Sequence, residues 1–182
     1  MEKRIIARYL IIAVVIGVLG TLIYNIHLHL KKDTIIQENI RELPSFEFYT
    51  LNKQRFLKED IDTGKPLLLI FFSTDCSFCQ FELKQVTDYI SQLADKTVLL
   101  VSPDSITTLV HFTEKMEFDA FPMITVLKCE VKTFQETFGK VPVPTTFLYN
   151  KNHELVRQFR GSTKMETVLS ALKNQPMHET GD

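Results

Sequence analysis

The chain has 182 residues, enough for one domain with a short additional segment. Apolar residues make up 45% and charged residues 24%, a balance typical of a globular protein and too apolar for a disordered chain. The net charge of −1 gives no electrostatic indication of a nucleic-acid partner, and three cysteines are too few for a disulfide scaffold.

The N-terminal part of the chain differs from the rest. Residues 9–30 contain no Lys, Arg, Asp or Glu and are mostly aliphatic. A helix of about 20 such residues crosses the hydrocarbon core of a membrane. We therefore predict a cytoplasmic tail over 1–8 and a transmembrane signal-anchor helix over 9–30, with the remaining chain outside the cytoplasm. A cleaved signal peptide is the alternative, but its apolar core is usually shorter and ends in a small-x-small cleavage site.

The remaining chain divides into three predicted parts. Residues 31–44 are polar and mixed in charge, which predicts a juxtamembrane stalk, and residues 175–182 are expected to be a flexible tail. Between them, over 45–174, strand-length apolar runs alternate with helical patterns, which predicts an α/β domain with a central sheet. The apolar run over 67–72 predicts a strand buried on both faces, and the run over 98–101 predicts a second one.

Further elements follow from spacing. One buried helical stripe is predicted to begin near Cys76, because apolar residues recur there at intervals of three and four. The members of this stripe are Cys79, Leu83, Val86, Ile90 and Leu93. Strands over 145–149 and 155–159 flank Asn150-Lys151-Asn152, which predicts an antiparallel hairpin and therefore a mixed sheet. A capping box over 163–166 predicts the start of the last helix.

Two cysteines three residues apart carry the clearest chemical signal, in the segment Cys76-Ser77-Phe78-Cys79. They lie where a buried strand turns into a helix, and the N–H groups at a helix N-terminus favour a thiolate. The second sulfur lies one turn along, close enough to attack a mixed disulfide formed by the first. We therefore predict that Cys76 is the exposed nucleophile and that Cys79 is the resolving thiol. Phe78 is expected to form part of an apolar rim around them.

Other uses of the cysteine pair are open at this point. A zinc site needs more ligands, and its candidates are Cys129 and the scattered His111 and His153, with no second paired motif. We therefore predict no metal. Two structural core cysteines are a further alternative. Cys129 itself is expected to be a buried structural thiol, with an intermolecular disulfide as the alternative.

Two longer segments resemble a known family. The segment over 71–82 resembles the active-site strand and helix of membrane-anchored thioredoxin-like thiol–disulfide oxidoreductases of the TlpA/ResA (redoxin-related) family. The segment over 138–148 is similar to the part of that family that carries a cis-proline. The resemblance covers residues 45–173. It implies a thioredoxin-like α/β fold, with a mixed central sheet flanked by helices, and thiol–disulfide exchange without a cofactor. It also places residues 121–138 as an inserted strand and helix.

The resemblance assigns roles to further residues. It implies that Pro144 is a cis-proline facing the cysteines and that the backbone of Val143 pairs with an extended substrate. Glu82 matches an acidic residue that lies near the cysteines and affects their proton traffic, with a solvated helix carboxylate as the alternative. Asp75 departs from the family, which usually has Trp before the first cysteine. An anion there is expected to oppose thiolate formation at Cys76.

The leading functional hypothesis is an anchored enzyme of the bacterial inner membrane. Its N-terminus would be cytoplasmic, and its catalytic domain would reduce protein disulfides in the periplasm or, more generally, outside the cytoplasm, as part of cell redox homeostasis. The resemblance implies a transmembrane electron donor of the DsbD/CcdA type as a second partner. No nucleic-acid partner is expected.

Two other functions are open. A thiol peroxidase of peroxiredoxin type has the motif Pro-x-x-x-Thr/Ser-x-x-Cys. Ser73 fits its hydroxyl position three residues before Cys76, but Leu69 stands where the proline belongs. A non-catalytic thioredoxin-like binding domain would keep the fold and use the site to hold a partner.

Overall fold

The computed structural model describes residues 16–25, 36 and 38–173. The chain divides into two compact units, residues 1–38 and 39–182. Within the described part of the chain, no helix is both long and apolar enough to cross a bilayer.

In the first unit, residues 16–25 are helical and solvent-exposed. They belong to the predicted anchor over 9–30, whose other residues lie outside the described ones. The predicted tails over 1–8 and 175–182 also lie outside them.

The second unit contains a mixed sheet. Among the residues described, its strands are β1 (Glu47–Thr50), β2 (Arg55–Leu57), β3 (Leu67–Phe71), β4 (Thr97–Ser102), β5 (Ile124–Lys128), β6 (Thr145–Tyr149) and β7 (Leu155–Arg160). The helices are α1 (Ser77–Asp88), α2 (Ile90–Leu93), α3 (Ile106–Met116), α4 (Val131–Phe138) and α5 (Met165–Lys173). The strand order is β2-β1-β5-β4-β3-β6-β7, so β2 and β7 are the edges.

Strand direction explains where a site can form. β3, β4 and β5 are parallel neighbours, so their carboxyl ends meet at one edge of the sheet. β6 runs antiparallel to β3, and β7 antiparallel to β6, which confirms the predicted hairpin and the mixed sheet. The register of the hairpin shifts between Leu148 and Tyr149. Asn150 closes the turn, because its side-chain oxygen accepts the N–H groups of Asn152 and Glu154, both at 2.9 Å. The predicted insertion over 121–138 contains β5 and α4.

One face of the sheet is covered by a cluster of phenylalanines centred on Phe134 of α4. Its ring stacks on Phe71 of β3 at 3.8 Å between centroids and on Phe138 at 4.8 Å. It also meets Phe147 of β6 edge-on at 6.1 Å. These rings are buried, so they form core and hold α4 against the strands that precede the cysteines and follow the proline.

Two predicted boundaries need correction. The predicted single helix through Leu93 is broken at Tyr89 (φ −104°, ψ 18°), which ends α1 and precedes α2. Cys79 and Leu93 are nonetheless both buried. The spacing of apolar residues indicates which side of a helix faces the core, but it does not show whether the helix is continuous. Ile90, the stripe residue directly after the break, is only partly buried.

The folded domain also begins before Ser45, inside the predicted stalk over 31–44. Ile40 and Leu43 are fully buried, and the Leu43 N–H donates to the carbonyl of His153 at 2.8 Å. Residues 31–35 and 37 of the predicted stalk lie outside the described ones. The part over 40–43 has few apolar residues and resembles a linker in composition, although its two buried side chains pack it against the domain.

Candidate active site

Cys76 is placed at the N-terminus of α1. It is the N-cap residue of that helix, with an extended backbone (φ −87°, ψ 113°), and its Sγ accepts the N–H of Cys79 at 3.3 Å. The side chain is half-buried, and all three cysteines are free thiols. An N–H donor and the positive end of a twelve-residue helix both favour negative charge on this sulfur. The position is therefore suited to a nucleophilic thiolate.

Cys79 lies one turn along α1 and has the opposite environment. It is buried, and burial raises the pKa of its thiol to about 12, with further increases from the hydrogen bond to Cys76 and the nearby Glu82 charge. A backbone hydrogen bond with Ser73 acts against this increase. The thiol therefore stays protonated while Cys76 attacks, as a resolving thiol requires.

Alkylation tests this asymmetry directly. At pH 8, iodoacetamide should modify Cys76 at least about 100-fold faster than Cys79 or Cys129, because the thiolate is the reacting form. Burial raises the pKa of Cys129, like that of Cys79, to about 12. Peptide mass spectrometry over time gives the three rates, and unfolding in guanidinium, which should equalise them, is the control. Equal rates in the folded protein would contradict the assignment.

The loop before β6 faces Cys76. The Val143–Pro144 peptide bond is cis. The carbonyl oxygen of Val143 lies 3.9 Å from Sγ of Cys76, which donates to it. The N–H of Gly161, the residue after β7, donates to the carbonyl of Pro144 at 2.8 Å and fixes the loop from the other side. The structure thus brings together the cysteine and proline motifs, which lie 67 residues apart in the chain.

Glu82 is buried rather than solvated, with 1% of its surface exposed. Its Oε1 accepts the hydroxyl of Thr146 on β6 at 2.5 Å, and its Oε2 accepts the N–H of Thr163 at 3.0 Å. Burial raises the pKa of this carboxyl, while the two hydrogen bonds act to lower it. The negative charge of Glu82 in turn helps raise the pKa of Cys79. The carboxylate is therefore electrostatically linked to the cysteine pair.

The start of α5 differs from the predicted capping box. The hydroxyl of Thr163 donates to the carbonyl of Gly161 at 3.2 Å, and α5 begins at Met165. The N–H of Met165 is accepted by the side-chain oxygen of Gln85 at 3.0 Å. Glu82 and Gln85 of α1 thus accept the N–H groups that a local cap would take. A cap supplied by a distant helix has no local sequence signature.

Two exposed aromatic residues lie close to the cysteines in the first turns of α1, Phe78 between them in the chain and Phe81 after Cys79. Phe78 is 68% exposed and Phe81 is 58% exposed. Phe81 was missed by the sequence analysis, although it is three residues after Phe78 and off the buried stripe, which predicts an exposed position. Asp75, immediately before Cys76, is also exposed to solvent.

Asp104 was also missed by the sequence analysis. It follows β4, and its carboxylate accepts the N–H of Thr74 at 2.7 Å and the hydroxyls of Thr74 and Ser73 at 2.8 and 3.3 Å. These two residues belong to the loop that joins β3 to α1 and leads into Cys76. The predicted strand order could have found it, because the carboxyl ends of parallel neighbouring strands meet at one edge of a sheet. A residue after β4 therefore lies near the loop after β3.

Comparison with known proteins places this arrangement in a family. The sequence pattern of the AhpC/TSA family matches residues 41–158, which include both motifs of the site. The chain belongs to the AhpC/TSA family. A curated relative is the thiol-disulfide oxidoreductase ResA of Bacillus thuringiensis subsp. konkukian, 23% identical over 175 residues that cover 94% of this chain and 96% of the relative.

Solved structures of this fold are similar over most of the domain. The exposed lipoprotein thioredoxin Etrx1 of Streptococcus pneumoniae superposes with a TM-score of 0.58 and 22% identity, covering 72% of this chain and 99% of that one. The peroxidoxin BcpB of Mycobacterium tuberculosis superposes with a TM-score of 0.62 and 16% identity, covering 74% and 96%. The predicted thioredoxin-like fold is confirmed. The family and its ResA relative also confirm the predicted resemblance and the prediction of an oxidoreductase.

Proposed function

We propose that this AhpC/TSA family member is a membrane-anchored thiol–disulfide oxidoreductase that reduces disulfide bonds of protein substrates outside the cytoplasm. One observation carries the proposal: Sγ of Cys76 caps α1 and accepts the N–H of Cys79 at 3.3 Å, with the protonated Cys79 thiol buried one turn behind it. This pairs an accessible nucleophile with a protected second thiol. The reaction requires both.

The exchange proceeds in two balanced steps. The Cys76 thiolate attacks one sulfur of the substrate disulfide, forming a mixed disulfide and releasing the other sulfur as a thiolate that takes a proton. Cys79 then loses its proton and attacks Cys76, which forms the Cys76–Cys79 disulfide and releases the second substrate thiol. Counted from the Cys76 thiolate, the substrate gains two electrons from the enzyme, one proton from Cys79 and one proton from solvent. The charge of Glu82 helps raise the pKa of Cys79, so Glu82 is proposed to affect the release of the Cys79 proton in the second step.

Regeneration requires a reductant for the Cys76–Cys79 disulfide. We place this role with a transmembrane electron donor of the DsbD/CcdA type, which the family resemblance implies. An N-terminal anchor over 9–30, supported by its lack of Lys, Arg, Asp and Glu, would keep the domain beside such a donor. The catalytic domain would then lie on the periplasmic or outer side of a bacterial inner membrane. Membrane extraction of the tagged full chain and protease accessibility of its domain test this placement.

The midpoint potential of the cysteine pair tests the proposed direction. Full-length protein carrying Cys129→Ser is equilibrated in thiol–disulfide buffers, and the oxidised fraction is determined from the mass shift after alkylation. A potential near or below about −250 mV is expected for a reductant, whereas one near about −120 mV would indicate an oxidant. A pair that does not cycle between dithiol and disulfide would contradict the proposed activity. Cys76→Ser in the same background is the control that cannot cycle.

Phe78 tests the proposed contact with protein substrates. Phe78→Ser should raise KM for a protein disulfide about threefold to tenfold, since it removes an exposed ring next to the attacking sulfur, while reduction of a small disulfide stays unchanged. Val131→Ser is the matched control, because Val131 is an exposed apolar residue on α4 with no place in the site. Equal losses with both substrates would show that Phe78 supports the cysteines rather than the substrate.

A thiol peroxidase is less well supported. The hydroxyl of Ser73, the residue that fits the peroxiredoxin motif, donates to Asp104 at 3.3 Å. Leu69, at the position of the motif's proline, is a buried residue of β3. Rapid peroxide turnover that survives Cys79→Ala would favour this function over disulfide reduction.

A further inference from the structure

We propose that Asp104 is a positioning residue of the exchange site, which fixes the loop before α1 and thereby holds Sγ of Cys76 against the N-terminus of that helix. The inference rests on the proposed function only in taking Cys76 as the attacking thiol. It concerns the loop that carries this thiol.

The Asp104 carboxylate accepts hydrogen bonds from two consecutive loop residues, Ser73 and Thr74. Oδ2 accepts the N–H of Thr74 at 2.7 Å and its hydroxyl at 2.8 Å. The hydroxyl of Ser73 lies 3.3 and 3.4 Å from the two carboxylate oxygens. Thr74 is buried, so its donors depend on this partner rather than on water.

The carbonyls of the same two residues accept hydrogen bonds from the N-cap and the first turn of α1. The carbonyl of Ser73 accepts the N–H of Cys76 at 3.3 Å. The carbonyl of Thr74 accepts the side-chain amide of Gln80 at 2.7 Å. The loop is therefore fixed from two sides: its donors bond to Asp104, and its carbonyls bond to the N-cap and the first turn of α1. Loss of Asp104 would free one side of the segment that sets the position of Cys76.

Asp104 is itself fixed by the neighbouring strands. Its N–H donates to the hydroxyl of Ser102, the last residue of β4, at 3.2 Å. The ammonium of Lys128, the last residue of β5, donates to the carbonyl of Pro103 at 3.1 Å and also contacts Glu130 at 2.8 Å. The carboxylate thus faces hydrogen-bond donors of the loop and is anchored through its backbone to the edge where β4 and β5 end.

Two effects of Asp104 on Cys76 oppose each other. As an anion it disfavours a thiolate nearby, whereas as an acceptor it keeps Sγ on the N–H of Cys79 and at the positive helix end. Three donors already compensate the charge of the carboxylate. We therefore expect the hydrogen bonds of Asp104, which hold the loop and Cys76 in place, to outweigh the effect of its charge. Removing Asp104 should weaken the thiolate of Cys76, not strengthen it.

The pH profile of Cys76 alkylation in the full chain distinguishes the two effects. Asp104→Ala should slow the reaction with iodoacetamide about tenfold at pH 7 and move its pH midpoint upward. Asp104→Asn should fall between the wild type and Asp104→Ala, since it keeps an oxygen that accepts the N–H of Thr74. Asp119→Asn, at an exposed aspartate outside the site, is the matched control and should leave the profile unchanged.

Two outcomes would overturn the proposal. An unchanged pH midpoint with a lower melting temperature would show a purely structural role, and a midpoint moved downward would show that the charge dominates. If Asp104→Ala does not fold, as judged by circular dichroism, Asp104→Asn decides between the same outcomes. Alkylation requires no disulfide exchange. A wild-type protein that fails to reduce disulfides would therefore refute the proposed function while leaving this comparison intact.

Discussion

Cys79→Ser should convert the protein from a catalyst into a covalent trap for its substrates. Cys76 keeps its helix N-terminus and can still attack a disulfide, but no thiol remains one turn along α1 to release the mixed disulfide. Turnover of protein disulfides should fall about 1,000-fold or more, because a residue acting as a unit with the nucleophile is lost. Non-reducing gels should then show substrate adducts that disappear after reduction.

Two variants control this trapping experiment. Cys129→Ser should turn over and release substrates like the wild type, since that thiol is buried and has no role in the proposed exchange. The double variant Cys76→Ser/Cys79→Ser should form no adducts. Adducts formed by Cys76→Ser, and absent from Cys79→Ser, would reverse the proposed roles of the two cysteines. Mass spectrometry of the captured proteins would also identify the substrates.

The domain should be roughly 2–4 kcal/mol less stable with Glu82→Leu than with Glu82→Gln. Both variants remove the buried charge, but leucine leaves the buried Thr146 hydroxyl and the half-buried Thr163 N–H without their shared acceptor. An unsatisfied buried group costs about 1–3 kcal/mol, and a half-buried one costs less. Glutamine can still accept the N–H and can donate to the hydroxyl. Denaturant unfolding of both variants at one pH gives the difference. Equal stabilities would show that the two hydrogen bonds contribute little.

Wild-type protein and Glu82→Gln should also differ in how stability varies with pH. Burial raises the folded-state pKa of Glu82, so the unfolded chain releases this proton at lower pH than the folded one. The contribution of Glu82 to stability is complete below the unfolded pKa and is lost as pH rises through the folded pKa. Relative to Glu82→Gln, the wild type should therefore lose about 1.4 kcal/mol for each unit between the two pKa values. A relative gain from pH 4 to pH 7 would contradict this account.

Features determined by local spacing could be predicted from the sequence. The run of consecutive apolar residues marked β3, because a strand covered on both faces has no polar side. The three- and four-residue spacing after Cys76 placed Cys79 on the buried side of α1. The turn residues after Tyr149 gave the antiparallel hairpin. Each of these depends on neighbours within a few positions in the chain.

Features determined by distant partners could not be predicted in this way. The break of α1 at Tyr89 leaves the apolar spacing unchanged. The packing of Ile40 depends on a domain that follows it in the chain. Asp104 is 30 residues from Thr74, and only the parallel arrangement of β3 and β4 brings them together. Glu82 was singled out through resemblance, but its buried partners Thr146 and Thr163 required the fold.

The two edges of the sheet have a consequence for how this protein tolerates crowding. An unpaired strand edge offers its backbone to other chains and invites aggregation. Here one edge, β2, has only three residues, and the other, β7, carries exposed Arg157 next to a shift in register and exposed Arg160 at its end. Short length, positive charge and irregular pairing all oppose edge-to-edge association. We therefore expect these two edges to resist self-assembly at high local concentration.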